Sequence, residues 1–301
     1  MTVKASIDIG TNSILVLAAE IIDGRLIPIY QDLAEPRLGK NLTQAGIISK
    51  KALLSAIEAI REFHSKAIEL GAEEIILYGT EVFRSVSNGE ECANKIGQAV
   101  GEKMRILTPE EEARYAFIGA VSGLSISSNA LVVDLGGGSM EMILGKGRLE
   151  NWTSLPIGAV SITERFSATP PLETTTTNRL LENISSEINP PFEIDSTNTN
   201  LVGVGGTITT LGAINLALRE YSHEKVHGSK LKITHLHEIF FELSKKTTPE
   251  IADMIPFSPA RADIIFAGNA VFIALMEKFG FSEITISDHG SRWGILLEKT
   301  K

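Results

Sequence analysis

Val133-Asp134-Leu135-Gly136-Gly137-Gly138-Ser139 reads as a buried strand that ends on a carboxylate and opens into a glycine turn. Ile7-Asp8-Ile9-Gly10-Thr11-Asn12-Ser13 reads the same way about 126 residues earlier. Gly136, Gly137 and Gly138 permit torsions that a Cβ forbids, so successive N–H groups can face an anion, and Ser139 adds a hydroxyl. In the earlier copy Thr11, Asn12 and Ser13 are the polar turn donors. Asp8 and Asp134 close apolar strands, where a carboxylate is costly unless a positive partner or a metal attends it. The same phosphate-handling device is expected twice.

Outward from these turns, Ile14 to Ile22 and Leu26 to Tyr30 continue the first strand as a hairpin meander. Residues 47 to 70 carry a helical repeat that ends at Gly71, Glu74 to Tyr78 is a strand, and Glu90 to Val100 is a helix. Arg105 to Leu107 leads into Thr108-Pro109-Glu110-Glu111, with an N-cap, a proline at the first helical position and a capping-box acid. That helix is expected to reach Gly123. Strands at Ala130 to Asp134 and Met140 to Leu144 then restart the opening pattern, which signals an internal duplication. The Ser/Asn-rich link Leu124 to Asn129 sets the expected domains at 1–124 and 125–301.

In the second half, residues 167–177, with two prolines and four consecutive threonines, read as a loop before a helix from 178 to 188. Leu201 to Val204 is a strand that reaches Gly205-Gly206-Thr207 and a helix to Leu218. Thr234 to Lys245 reads as a helix, Ser258 to Phe279 as a long amphipathic one, Ile284 to Ser287 as a strand, and 291–299 as a closing helix that is a candidate to return onto the first domain. Strands separated by helices imply three-layer α/β domains.

At 301 residues and 43% apolar content the chain can bury two cores. Its apolar runs fall short of the roughly 20 residues a membrane span needs, and the N-terminus has no signal-peptide pattern, so the expected location is cytoplasmic. Lone Cys92 allows no internal disulfide. The net charge of −9 argues against DNA on a broad basic face but allows a polyanion in a narrow cleft with metal help.

Glu141 lies two residues past Ser139, on the same strand face, which would place Asp134 and Glu141 around one hydrated Mg²⁺. If Glu111 closes the capping box, Glu112 is left to orient a water for attack on phosphorus. Arg84, after Tyr78-Gly79-Thr80-Glu81-Val82-Phe83, offers a planar guanidinium for two phosphate oxygens, with Arg37 and Lys40 as weaker candidates. The pairs His223/His227 and His235/His237 lack a third ligand and read as surface or packing residues, whereas His289 lies at a strand end that points to the cleft.

Taken in order, Ile7 to Ser13, Tyr78-Gly79-Thr80 with Arg84, Glu111-Glu112-Ala113-Arg114, Val133 to Glu141, Leu155-Pro156-Ile157-Gly158, Val204 to Thr207, Val226-His227-Gly228 and Asp288 to Gly294 resemble the exopolyphosphatase and guanosine pentaphosphate phosphohydrolase family, within the actin, Hsp70 and sugar-kinase superfamily. The resemblance implies two actin-like (ribonuclease H-like) α/β domains with mixed sheets flanked by helices and an interdomain cleft. It implies metal-dependent hydrolysis of terminal phosphoanhydride bonds, with inorganic polyphosphate as the usual substrate and guanosine pentaphosphate as the other. Residue by residue, it makes Glu112 the catalytic base and Arg84 the phosphate-binding arginine. Asp134 and Glu141 become metal ligands, and Asp8, Gly10, Thr11, Asn12, Ser13, Gly136, Gly137, Gly138, Ser139, Gly206 and Thr207 become substrate contacts. The departure is at Ser291-Arg292-Trp293-Gly294, where relatives tend to have Leu-Arg-Glu-Gly. The chain also stops at the two-domain core, which favours shorter polyphosphate or a nucleotide. A related ATPase and a non-catalytic phosphate or nucleotide sensor are the rival readings, and the sequence does not separate a monomer from a homodimer.

Overall fold

The computed structural model describes residues 2–39 and 46–298, in two compact units: Met1–Ser122 with Ser291–Lys301, and Gly123–Gly290. Unit 1 carries a five-stranded sheet in the order β3-β2-β1-β4-β5, from β1 (Thr2–Ile9), β2 (Ile14–Ile22), β3 (Arg25–Ala34), β4 (Ala72–Gly79) and β5 (Arg105–Ile106). The first three are an antiparallel meander, and β4 and β5 run parallel to β1. Strand alternation divides the sheet's side chains. Ile7 and Ile9 join the core under the helix Lys50–Glu69, which packs Leu53, Ala56, Ile60, Phe63 and Ala67 at helical spacing. Ser49 caps that helix. On the opposite face of β1, Ser6 and Asp8 meet the helix Ser291–Glu298. A Cβ on Gly294 would fall 1.9 Å from the Tyr115 carbonyl oxygen, so the closing helix packs directly onto the helix Pro109–Val121.

Unit 2 repeats this topology. Its sheet runs β10-β11-β9-β6-β7-β8, from β6 (Asn129–Leu135), β7 (Met140–Gly145), β8 (Leu149–Leu155), β9 (Thr199–Val204), β10 (Lys230–Lys232) and β11 (Glu283–Ile286). Strands β6, β7, β8, β9 and β11 occupy the places of β1, β2, β3, β4 and β5, and β10 adds an edge. The internal duplication is thus present in the strand order of two mixed sheets.

Two segments differ from expectation. Thr174 to Thr177 are not a loop but the first turn of the helix Thr174–Glu187, where Thr177 Oγ1 donates to the Thr174 carbonyl at 2.9 Å. First-turn amides have no intrahelical acceptor, so the poor interior propensity of threonine matters less there. The segment from Ser258 to Phe279 is not one amphipathic helix. A 3-10 turn at Pro259–Arg261 precedes the helix Ile265–Phe279, in which every side chain from Ile265 to Met276 is buried. Helices Ala159–Phe166, Thr174–Glu187, Gly206–Asn215 and Ile233–Leu243 pack around it, which accounts for an apolar surface all round. Among the described residues no helix is long and apolar enough to cross a membrane.

Candidate active site

The loop Gly136 to Ser139 is a four-residue hairpin connection, closed by the Gly136 N–H donating to the Ser139 carbonyl at 3.0 Å. Its carbonyls dock on the start of the helix Ala159–Phe166: Gly136 accepts from Ala159 N at 3.0 Å, and Gly137 from Val160 N at 2.9 Å and Ser161 N at 3.1 Å. In a trans peptide the C=O of one residue and the N–H of the next point in opposite directions. The amides of Gly137 and Gly138 are therefore turned away from that helix, as an anion nest requires. The helix's own first amides are satisfied by the loop. The packing needs a residue without a side chain at the cap, since a Cβ on Gly158 would fall 2.2 Å from the Gly137 carbonyl oxygen.

Unit 1 builds its loop by the same device. Gly10 N–H donates to the Ser13 carbonyl at 2.9 Å, while the carbonyls of Thr11 and Asn12 accept from Gly39 N at 2.7 Å and Arg37 N at 3.1 Å. The Asn12 and Ser13 amides are turned away from those donors. The side chains depart from expectation: Thr11 Oγ1 donates to Glu81 Oε2 at 3.2 Å, and Asn12 Nδ2 lies 3.5 Å from Glu35 Oε1. Carboxylates inside the unit face these two donors, so at Thr11 and Asn12 the backbone rather than the side chain fits an anion, while Ser13 Oγ lies 3.4 Å from Asn12 Nδ2. Lys40 lies outside the described residues.

Asp134 and Glu141 are direct cross-strand partners of β6 and β7, on one face of the sheet. Glu141 is buried, and its Oε1 accepts from Ser139 at 2.8 Å and from Ser154, its partner on β8, at 2.7 Å. Gly205, at φ +94°, lets the end of β9 approach this point, because a Cβ there would fall 3.1 Å from Asp134 Oδ1. Among the described residues no three His, Cys, Asp or Glu side chains gather as an all-protein metal cage. A carboxylate pair with neighbouring hydroxyls nevertheless fits a hard cation such as Mg²⁺, which keeps waters and binds substrate oxygens.

Gly206 and Thr207 open the helix Gly206–Asn215, and their amides precede its first intrahelical bond, from Thr209 N to Gly205 O. The Thr207 side chain is buried against Gly268 and does not face outward, so only its backbone suits a ligand. The buried Arg261 guanidinium lies on the Gly206 backbone, where a Cβ would fall 2.2 Å from Cζ. Arg261 escaped sequence reading, because Pro259-Ala260-Arg261 lies 55 residues beyond Gly206 and carries no glycine-rich or strand-end signal.

Glu111 and Glu112 divide as the capping logic requires. Glu111 Oε2 accepts from Thr108 N at 2.9 Å, Thr108 Oγ1 accepts from Glu111 N at 3.2 Å, and Arg105 binds the other Glu111 oxygen at 2.8 Å. Glu112 points elsewhere, and its Oε2 accepts from Arg84 Nη2 at 2.7 Å. Arg84 is also fixed by Nη1 donating to the Leu107 carbonyl at 2.6 Å, and the pair keeps partial access to solvent, at 22% for Arg84 and 13% for Glu112. The base and the cation expected from separate motifs thus meet in unit 1.

Asp8, beside Tyr78 in the β1–β4 register, accepts from Ser291 Oγ at 2.7 Å. Burial pushes its carboxyl above the usual range, against the opposing pull of Ser291, Tyr78 and Arg292. His223, His227 and His289 form a local network around Asp288 in unit 2. His223 Nδ1 and the Tyr221 hydroxyl bind Asp288, and His289 stacks on His227 with ring centroids 3.8 Å apart.

The Ppx/GppA phosphatase family model matches residues 17–301. Exopolyphosphatase 2 of Mycobacterium tuberculosis is 31% identical, over 99% of this chain and 98% of that protein. Guanosine-5'-triphosphate,3'-diphosphate pyrophosphatase of Vibrio parahaemolyticus is 26% identical, over 98% of this chain but 58% of that protein. The crystal structure of the Aquifex aeolicus Ppx/GppA family member superposes with a TM-score of 0.83 at 31% identity, covering 99% of this chain and 97% of that one.

Proposed function

Because the chain belongs to the Ppx/GppA phosphatase family, we propose that it hydrolyses the terminal phosphoanhydride bond of inorganic polyphosphate and releases orthophosphate. The observation that carries this reading is the Arg84–Glu112 pair, a carboxylate of the right type for a general base held beside a guanidinium of the right type for a phosphoryl group. When the terminal phosphoryl group engages Arg84, it competes for the cation that Glu112 now holds. Glu112 then accepts a proton from the attacking water as oxygen bonds to phosphorus, and the bridging P–O bond breaks with its electron pair leaving on the shortened polyphosphate.

Within unit 1 the amides of Asn12 and Ser13, and within unit 2 those of Gly137, Gly138, Gly206 and Thr207, would supply neutral donors to phosphate oxygens without the mobility of lysine side chains. Asp134 and Glu141 would hold Mg²⁺. When bound, that ion neutralises charge on the phosphate oxygens. Ser139 and Ser154 orient the Glu141 carboxylate for that task.

Guanosine pentaphosphate hydrolysis is the second reading, supported by the pyrophosphatase relative of Vibrio parahaemolyticus. Exopolyphosphatase 2 of Mycobacterium tuberculosis, at 31% identity against 26% for the pyrophosphatase, supports placing polyphosphate first. Phosphate release from tripolyphosphate, long polyphosphate and guanosine pentaphosphate, at matched phosphate concentration with Mg²⁺, separates the two. Release from none of the three would end the enzyme reading and leave a phosphate or nucleotide sensor.

A further inference from the structure

Ser291 opens the closing helix of unit 1, and it is buried. Its hydroxyl has two polar partners. The Tyr78 hydroxyl donates to Ser291 Oγ at 3.0 Å, and Ser291 Oγ donates to Asp8 Oδ2 at 2.7 Å. The chain Tyr78, Ser291, Asp8 therefore runs from β4 through the closing helix to the end of β1, two residues before the Gly10 turn. The titratable and charged groups that face Asp8 are Tyr78 from β4 and Arg292 from the closing helix, while its partner on β2 is Leu15.

We propose that Ser291 is a positioning residue for the first phosphate loop: its hydroxyl, oriented by Tyr78, holds the Asp8 carboxylate ionised and in one orientation at the base of the turn. This rests on the proposed hydrolase reading for its effect on turnover, but the contact itself does not. Hydrogen bonds to a charged acceptor are short and about twice as strong as neutral ones, and a chain of donors polarises each member. Burial works in the opposite direction and raises the Asp8 pKa, so the Ser291 donor opposes the desolvation of the carboxylate. The closing helix, distant in sequence from the loop, thereby enters the loop's chemistry through one side chain.

The test compares wild type, Ser291→Ala, Ser291→Thr and Tyr78→Phe by two measurements. The first is the titration of the Asp8 side-chain carboxyl, followed by ¹³C NMR and assigned with Asp8→Asn. The second is the pH profile of kcat for phosphate release from tripolyphosphate. Ser291→Ala is expected to move the Asp8 midpoint upward and the acid limb of kcat with it. It should also lower kcat about tenfold at little cost in KM. Tyr78→Phe should move both in the same direction by less, and Ser291→Thr, which keeps the hydroxyl, should restore both. An unchanged Asp8 midpoint in Ser291→Ala, with thermal unfolding like wild type, overturns the proposal. A midpoint that moves in a protein with no turnover on any of the three substrates keeps the Ser291 contact and ends the hydrolase reading, so the two failures are distinguishable.

Discussion

Asp8 and Glu112 show how single residues carry opposite costs in one unit. Glu112 is compensated by Arg84, whereas Asp8 sits where burial outweighs its hydrogen bonds and lifts its pKa. A carboxyl that binds its proton more tightly when folded adds stability that is complete below its unfolded pKa and is lost as pH rises through the folded value. Asp8→Asn keeps an oxygen for Ser291 and removes that loss. It should therefore melt higher than wild type at pH 7 and lose the difference as pH falls below the carboxylate range, which calorimetry at a series of pH values will read. Its kcat should fall at the same time, since stability gained at a strained functional residue is usually matched by lost activity. For Glu112→Gln the expected result is a kcat lower by about 10² to 10⁴, with tripolyphosphate binding retained by calorimetric titration. Loss of binding together with turnover would instead assign Glu112 a structural part through Arg84. Both residues were legible in sequence, Asp8 as an acid closing an apolar strand and Glu112 as the acid left over from a capping box. Their partners were less so, because Ser291 lies 283 residues from Asp8 and nothing local marks the contact.

At the scale of elements, the hairpin loops owe their function to what docks behind them. The helix Ala159–Phe166 receives the carbonyls of Gly136 and Gly137 and so orients the amides of the peptides that follow. Sequence alone predicts the glycine turn but not this support, because Gly158 reads as one more glycine until the 2.2 Å approach to the Gly137 oxygen is seen. Gly158→Ala should therefore displace the loop and lower kcat/KM at least tenfold, with circular dichroism near wild type, and hydrogen exchange should localise the disturbance to 136–139 and 158–161. Thr108→Ala tests the other kind of support. It removes the cap of the helix that carries Glu112 at a cost of about 1 kcal/mol, to be read by denaturant unfolding. Capping chemistry is local, which is why the Thr108 start was legible to the residue. The four threonines read as a loop in sequence for a related reason: interior propensity does not describe a first turn, where backbone amides have no intrahelical partner.

Across the whole molecule, the repeated strand order accounts for how one local pattern, strand, acid, glycine turn, strand, recurs at Asp8 and Asp134 with equivalent hydrogen bonding. The duplication is unequal in how each core is completed. Unit 2 is continuous from Gly123 to Gly290, whereas unit 1 takes its last helix from the far end of the chain. That helix supplies buried Trp293, Ile295 and Leu296 to a cluster with Leu17, Tyr78, Leu107 and Tyr115, and the Arg292 carbonyl accepts from Ser6. A chain ending at Gly290 should consequently leave the β1, β2 and β4 face and the helix Pro109–Val121 without their apolar cover. Burying a side chain of this size contributes about 1.5–3 kcal/mol, so loss of three of them rivals the stability of an ordinary domain. Hydrogen exchange of the truncated protein should show lost protection through 2–22, 72–79 and 109–121, while β6, β9 and the helix Ile265–Phe279 exchange as in the full chain. Equal loss in both units would mean that they unfold as one cooperative body, and retained protection in unit 1 would mean that the closing helix is dispensable to its core.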